Sequence, residues 1–174
     1  MILVFSIAKA NVMQAMGNFN AAITSCQNAL RSIGGKSIRT GHVINLYYDL
    51  VLAELELGDL ESAKQHYKEG RQLVEQSPNW WTPRFDFLQG LLLMMQPAPD
   101  YAQAEERFQK SIKVDEEVGA AVPAAQTRYY LARMFTGKGE AGRAREMLTE
   151  VIGDFQSWDI PVWSKRCEKE FNAL

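Results

Sequence analysis

Residues 137–142 (GKGEAG) are the segment of this chain whose residue types and spacing most resemble a cofactor-binding motif. Glycines at this spacing let a backbone approach a pyrophosphate at a helix N-terminus, in a loop that follows a β-strand. Here the preceding residues have a helical pattern, and Gly139 occupies a turn position that Gly17 and Gly58 also occupy. We therefore predict a structural turn and no bound cofactor.

The histidines and cysteines do not form a site in the sequence. His42 and His66 have no further histidine or cysteine at the spacing of metal ligands, so we predict that both lie at the surface or in a helical hairpin, and that the chain binds no metal. Cys26 falls among apolar residues at helical spacing, which favours a buried, inert thiol over a nucleophile. No catalytic residue is predicted, and the chain is not expected to be an enzyme.

Two further clusters invite a functional interpretation. The adjacent carboxylates Glu105–Glu106 and residues 115–117 (DEE) could imitate an acid–base pair, but neighbours on a helix point in different directions, so we predict solvated charges. The pair Trp80–Trp81 lies in a link between helices. It either packs between neighbouring repeats or forms an exposed spot for a partner, and the sequence leaves both interpretations open.

Composition excludes several classes of partner. The formal net charge is −2, from 19 basic and 21 acidic residues, so concentrated positive charge for nucleic acid or an anionic membrane is absent from the sequence. No stretch reaches the roughly 18–20 apolar residues of a membrane span, and residues 1–5 (MILVF) are interpreted as helix rather than as a signal peptide. Only two cysteines, Cys26 and Cys167, occur, which is typical of a reduced, cytoplasmic protein.

Four similar segments recur along the chain and indicate a repeat protein. They are residues 17–22 (GNFNAA), 58–63 (GDLESA), 99–104 (PDYAQA) and 139–144 (GEAGRA). The alanines Ala22, Ala63, Ala104 and Ala144 are separated by 41, 41 and 40 residues. This period lies in the range of solenoids built from helical hairpins.

Each repeat is predicted to contain two helices around its turn. Asn18, Asp59 and Asp100 follow the turn residue and are predicted N-caps of the second helices. The first helices are expected over residues 2–16, 42–57, 83–96 and 123–136, with Pro83 and Pro123 at the first helical position. Residues 158–174 are predicted to form a capping helix whose charges face water.

Residues 17–30 (GNFNAAITSCQNAL) resemble the second half of a tetratricopeptide repeat (TPR), and the later copies match less closely. The lengthened repeats and residues 115–134 are similar to the C-terminal repeat regions of bacterial adenylate-cyclase-like or ATPase-type signalling regulators. The resemblance implies an all-α, right-handed superhelical solenoid of about four hairpins. We expect one domain over 1–174, with repeats at approximately 1–40, 41–81, 82–121 and 122–157, forming part of a larger protein.

The resemblance also implies a ligand face. The TPR register, transferred residue by residue, places twelve side chains on the inner wall of the solenoid, here called the wall residues: Ile7, Asn11, Gln14, Asn45, Tyr48, Asp49, Leu52, Phe87, Leu91, Gln126, Tyr129 and Arg133. Amides and aromatic rings suit an extended peptide held by hydrogen bonds and ring packing. The implied function is a protein- or peptide-binding regulatory scaffold.

Other interpretations stay open beside this one. The wall residues could be ordinary surface without a partner. The N-terminal helix, which begins MILVFSIA, shows hardly any polar side. We therefore expect either that more repeats or another domain precede it, or that its apolar edge pairs with a second copy of the chain. The alternative function is therefore a structural or self-association segment, a homodimer through the N-terminal edge.

Overall fold

The computed structural model describes residues 2–33, 40–76 and 81–174, and these residues form nine α-helices and no strand. The protein is therefore all-α, as predicted. The helices are α1 (Ile2–Ala15), α2 (Phe19–Ile33), α3 (Thr40–Glu56), α4 (Leu60–Gln76), α5 (Thr82–Met94), α6 (Tyr101–Glu117), α7 (Ala121–Gly137), α8 (Ala141–Ser157) and α9 (Pro161–Asn172).

Glycines in the left-handed region end the first helices, as their repeated position suggests. Gly17, Gly58 and Gly139 have φ of 74°, 78° and 78°. At Gly139 the N–H donates to the Thr136 carbonyl at 3.0 Å, and the next N–H donates to the Phe135 carbonyl at 2.8 Å. This pair of bonds is a Schellman motif, which closes a helix. The glycine-rich segment is thus a helix–helix turn, and the predicted structural role is confirmed.

The three predicted N-caps are also confirmed. Backbone N–H groups donate to side-chain oxygens of Asn18 at 3.3 Å, Asp59 at 3.1 Å and Asp100 at 3.0 Å. Hydrogen bonds from the side chain and backbone of Ser62 lower the pKa of Asp59. Each cap satisfies one of the four donors that open a helix without an intrahelical partner.

The helix boundaries differ from the predicted ones by a few residues. α5 begins at Thr82, so Pro83 is its second residue rather than its first. α7 begins at Ala121, and Pro123 is therefore its third residue rather than its first. Both prolines stay within the first turn, where an N–H group has no intrahelical acceptor and its absence costs nothing.

The chain divides into two compact units, Met1–Leu88 and Gln89–Leu174, with the boundary inside α5. In the first unit α1 packs on α2 and α3, α2 packs on α3, and α3 packs on α4. A buried cluster fills the space between α1, α2 and α3: Ile7, Ala10, Ala22, Cys26, Ala29, Leu46, Leu50 and Ala53. One domain over 1–174, with the four repeats, stays a prediction.

The second unit has the same sequential packing, with α6 on α7, α7 on α8, and α8 on α9. α9 occupies the predicted place of the capping helix, and Trp163 stacks on Phe155 with ring centroids 5.6 Å apart. Cys167 of α9 is fully buried, whereas Lys165 and Lys169 of the same helix are exposed. The two lysines face water as predicted, whereas Arg166 is half-buried.

The repeated alanines lie on the buried faces of the second helices. Ala22, Ala63, Ala104 and Ala144 are all fully buried. Gly70 on α4 has no room for a larger side chain. A Cβ placed there would lie 2.7 Å from the Phe85 ring and 2.8 Å from the Tyr47 Cβ.

Candidate functional site

Three wall residues of the first unit form a hydrogen-bonded group between α1 and α3. The Gln14 side-chain amide donates to the backbone carbonyl of Asp49 at 2.6 Å, and the Asn45 amide donates to Asp49 Oδ2 at 3.1 Å. Residues 35 positions apart in the sequence are thus in contact. Since Gln14 and Asp49 are buried and Asn45 is half-buried, the group ties two helices together at the edge of the core.

Burial dominates the electrostatics around Asp49. It raises the pKa of this carboxyl well above its ordinary value. No described residue gives Asp49 Oδ1 a hydrogen bond. Cys26 is fully buried nearby, and its pKa is raised by burial first and by the charges of Asp49 and Glu54 second. The predicted inert thiol is confirmed, because only the thiolate is nucleophilic.

Tyr48 is a half-buried wall residue that packs against two other aromatic side chains. Its ring centroid lies 6.0 Å from that of Trp81 and 6.4 Å from that of Phe87. Trp81 is 5% exposed, so it is a packed side chain and not an exposed spot. Trp80 lies outside the described residues.

The remaining apolar wall residues belong to the core. Ile7 and Leu52 are each 9% exposed, and Phe87 and Leu91 are each 2% exposed. Their side chains therefore offer little surface to a ligand. Asn11, by contrast, is exposed on α1.

In the second unit the wall residues Tyr129 and Arg133 contact each other on α7. The Arg133 guanidinium lies 5.9 Å from the Tyr129 ring centroid and 5.5 Å from that of Tyr130. Tyr129 is buried, whereas Arg133 and Gln126 are half-buried. The arginine therefore covers the tyrosines and keeps part of its own surface in solvent.

Residues of α9 complete this group, and sequence reasoning did not assign them to it. Arg166 Nε donates to the Tyr129 hydroxyl at 3.2 Å, and its Nη2 donates to the Tyr130 hydroxyl at 3.3 Å. Trp163 meets the Tyr129 ring edge-on at 5.7 Å. We call Tyr129, Tyr130, Arg133, Trp163 and Arg166 the tyrosine–arginine cluster. The only signal in the sequence was the i, i+3 spacing of Trp163 and Arg166, which places them on one face of a helix.

The charges of the cluster act on Tyr129. Burial raises the pKa of this phenol, while the positive charges of Arg166 and Arg133 act in the opposite direction. The net shift is upward, so the hydroxyl stays a neutral donor and acceptor at physiological pH. The cluster therefore presents two cations and polar rings, and no activated nucleophile.

Other titratable groups form structural pairs. His66 Nδ1 lies 2.9 Å from Glu54 Oε1 across the α3–α4 hairpin, which confirms the hairpin placement of His66. Burial raises the pKa of Glu54, and the hydrogen bond from His66 opposes it. Within residues 2–33, 40–76 and 81–174, no three histidine, cysteine or acidic side chains are grouped to hold a metal ion.

The prediction of solvated carboxylates is right in part. Glu106 and Glu117 are exposed, and Glu105 pairs with Arg143 at 2.9 Å on the protein surface. For Asp115 the prediction is wrong, because this side chain is 2% exposed. It lies four and seven residues after Ser111 and Phe108, so it shares the buried face of α6.

The chain shows no significant similarity to any protein-family model or to any curated protein. Among the described helices, none combines the length and the apolar composition that a bilayer span requires. Membership of the TPR family therefore stays a prediction.

Proposed function

We propose that the chain is a protein- or peptide-binding scaffold of TPR-like hairpins, stacked as a right-handed solenoid, and a non-enzymatic regulatory module of a larger bacterial signalling protein. Helices that pack on their successors within each unit support this architecture. Two free, buried cysteines agree with a cytoplasmic setting.

One observation carries the proposal. The wall residues Tyr129 and Arg133 meet in space, and Arg166 joins them from α9. Tyr129 and Tyr130 are themselves buried, so the guanidinium groups of Arg133 and Arg166 and the ring of Trp163, all half-buried, form the surface that a ligand can reach. Hydrogen-bond donors beside an indole ring suit an extended peptide, whose backbone carbonyls accept hydrogen bonds while its side chains pack on the ring. In the first unit, the side-chain amides of exposed Asn11 and half-buried Asn45 are also suited to hydrogen bonds with a peptide backbone.

A peptide-display selection against the full chain tests the proposal. We expect enriched sequences whose affinity, measured by calorimetry with synthetic peptides, falls at least about tenfold in Arg133→Gln, which corresponds to roughly 1.4 kcal/mol. Lys165→Gln is the matched control, because it removes one positive charge from an exposed site of α9. Failure to enrich any sequence, or equal affinity for wild type and Arg133→Gln, would contradict the proposal.

Self-association is the second candidate, and a specific observation favours it. Val12 is 54% exposed and Met16 is 71% exposed, and their i, i+4 spacing places them on one side of the first hairpin. We expect a dimer in sedimentation equilibrium if this edge pairs with a second copy. The double variant Val12→Ser, Met16→Gln would then be monomeric, whereas a monomeric wild type would exclude this function.

A further inference from the structure

A small pocket opens in the second unit, away from the wall residues. Its volume is about 230 Å³, and it lies at the α6–α7 turn, the start of α7 and the end of α8. Three of its lining residues, Gly119, Ala121 and Ala124, are too small to fill it. Pockets for drug-sized ligands measure about 300–1,000 Å³, so this one has room for a single side chain.

The charges that line the pocket do not balance. Glu116 forms an ion pair with Arg128, so each of these side chains has its partner within the lining. Asp154 also lines the pocket, and no described residue gives its side chain a hydrogen bond or an ion pair. The lining therefore has one negative charge that the described side chains leave unmatched.

An indole ring stands beside this carboxylate. Trp158 is 36% exposed, and its ring packs edge-on against Phe155 at 5.9 Å, which holds it in place. The Trp158 backbone N–H donates to the Asp154 carbonyl at 3.1 Å, so the two side chains are one helical turn apart. Asp159, with φ of 54°, ends the helix directly afterwards.

We propose that this pocket binds the cationic side chain, lysine or arginine, of a basic peptide segment. A carboxylate attracts a cation through its charge and an indole attracts it through its π-system, and Asp154 and Trp158 line one cavity here. The inference rests on the proposed function in so far as the cation belongs to a bound protein. It adds a second contact site, whose chemistry is complementary to positive charge.

Titration of the ¹⁵N-labelled full chain with small amides tests the binding chemistry. The Trp158 indole N–H resonance, assigned by its loss in Trp158→Phe, reports on the pocket. We expect a saturable shift with N-acetyl-lysine amide and with N-acetyl-arginine amide, and the stronger of the two identifies the preferred cation. N-acetyl-norleucine amide, which has a similar length and no charge, should give no saturable shift.

Substitutions separate the pocket from the rest of the surface. Asp154→Asn should weaken binding of the cationic amide at least about tenfold, or about 1.4 kcal/mol. Asp159→Asn is the matched control and should stay within about twofold, because asparagine tolerates a left-handed φ. Thermal unfolding of each variant checks that the helices are intact. Equal shifts with norleucine amide, unchanged affinity in Asp154→Asn, or preference for N-acetyl-glutamate amide through Arg128 would each overturn the proposal.

The two proposals can fail independently. Saturable binding of the cationic amides together with an empty peptide selection would leave the cation pocket and remove the peptide scaffold. The peptide scaffold would stand and the cation pocket would be refuted by a different result. In that case the selected peptides would bind more weakly to Arg133→Gln but equally well to Asp154→Asn, and the lysine and arginine amides would not bind.

Discussion

At the scale of single residues, Gly70 shows how packing overrides helix propensity. Alanine normally stabilises a helix interior relative to glycine by about 0.5–1 kcal/mol. A Cβ at Gly70 would meet the Phe85 ring at 2.7 Å and the Tyr47 Cβ at 2.8 Å, and the latter cannot swing away. We therefore expect Gly70→Ala to lower the free energy of unfolding by about 1–3 kcal/mol in urea titration. Gly153→Ala, with open space around it in α8, should raise it by about 0.5–1 kcal/mol.

Asp49 gives a prediction on pH at the same scale. Burial raises its pKa in the folded state, so its contribution to stability is full below the pKa of the unfolded chain, about 3.9. That contribution is lost as the pH rises through the higher, folded-state pKa. Asp49→Asn mimics the protonated acid, so we expect it to be more stable than wild type at pH 7, with the difference shrinking towards pH 4.

Asp59 is the control for this titration, because its pKa is lowered and the sign reverses. Its contribution is present above the unfolded pKa and is lost as the pH falls through the folded one. Asp59→Asn should therefore not gain stability at pH 7. If Asp49→Asn changed the free energy of unfolding by the same amount at pH 4 and at pH 7, the prediction would be wrong. A partner would then offset the effect of burial on the pKa of Asp49.

At the scale of helices and turns, the left-handed glycines decide where the hairpins bend. Gly58 has φ of 78°, and an added Cβ would meet no atom within 4 Å, so backbone conformation alone requires glycine. We expect Gly58→Ala to lower the midpoint of thermal unfolding, corresponding to about 1–2 kcal/mol. Gly58→Asn should have a smaller effect. If both variants had the same unfolding midpoint as wild type, the turn would not require a left-handed residue at position 58.

At the scale of the whole molecule, each helix packs against its neighbours in the chain, so the last helix of such an array would expose an apolar face unless another helix covered it. α9 supplies Trp163 and Cys167 to cover α8, including Phe155. We expect a chain ending at residue 160 to lose at least about 3 kcal/mol of unfolding free energy, the scale of removing one packed tryptophan. It should also bind a hydrophobic dye. Removal of residues 173–174 alone should change neither property, and a stable, dye-silent 1–160 chain would refute the capping role.

Local features of this protein could be predicted from its sequence, because each is encoded within a few residues. The turns at Gly17, Gly58 and Gly139 depend on a backbone conformation that glycine adopts readily, and the caps at Asn18 and Asp59 act on N–H groups three residues away. The regular spacing of small and apolar residues was enough to predict the helices and, apart from Asp115, the buried faces of the second helices.

Only the tertiary structure decided which of these faces meet and what lies between them. Arg166 reaches Tyr129, 37 residues away, and Asp115 is buried although it stands in an acidic run. The lone carboxylate and the indole of the pocket are adjacent through a helical turn, but the cavity beside them depends on α6 and α7. Such contacts depend on how helices distant in the chain pack together, and residue spacing within one helix does not specify that arrangement.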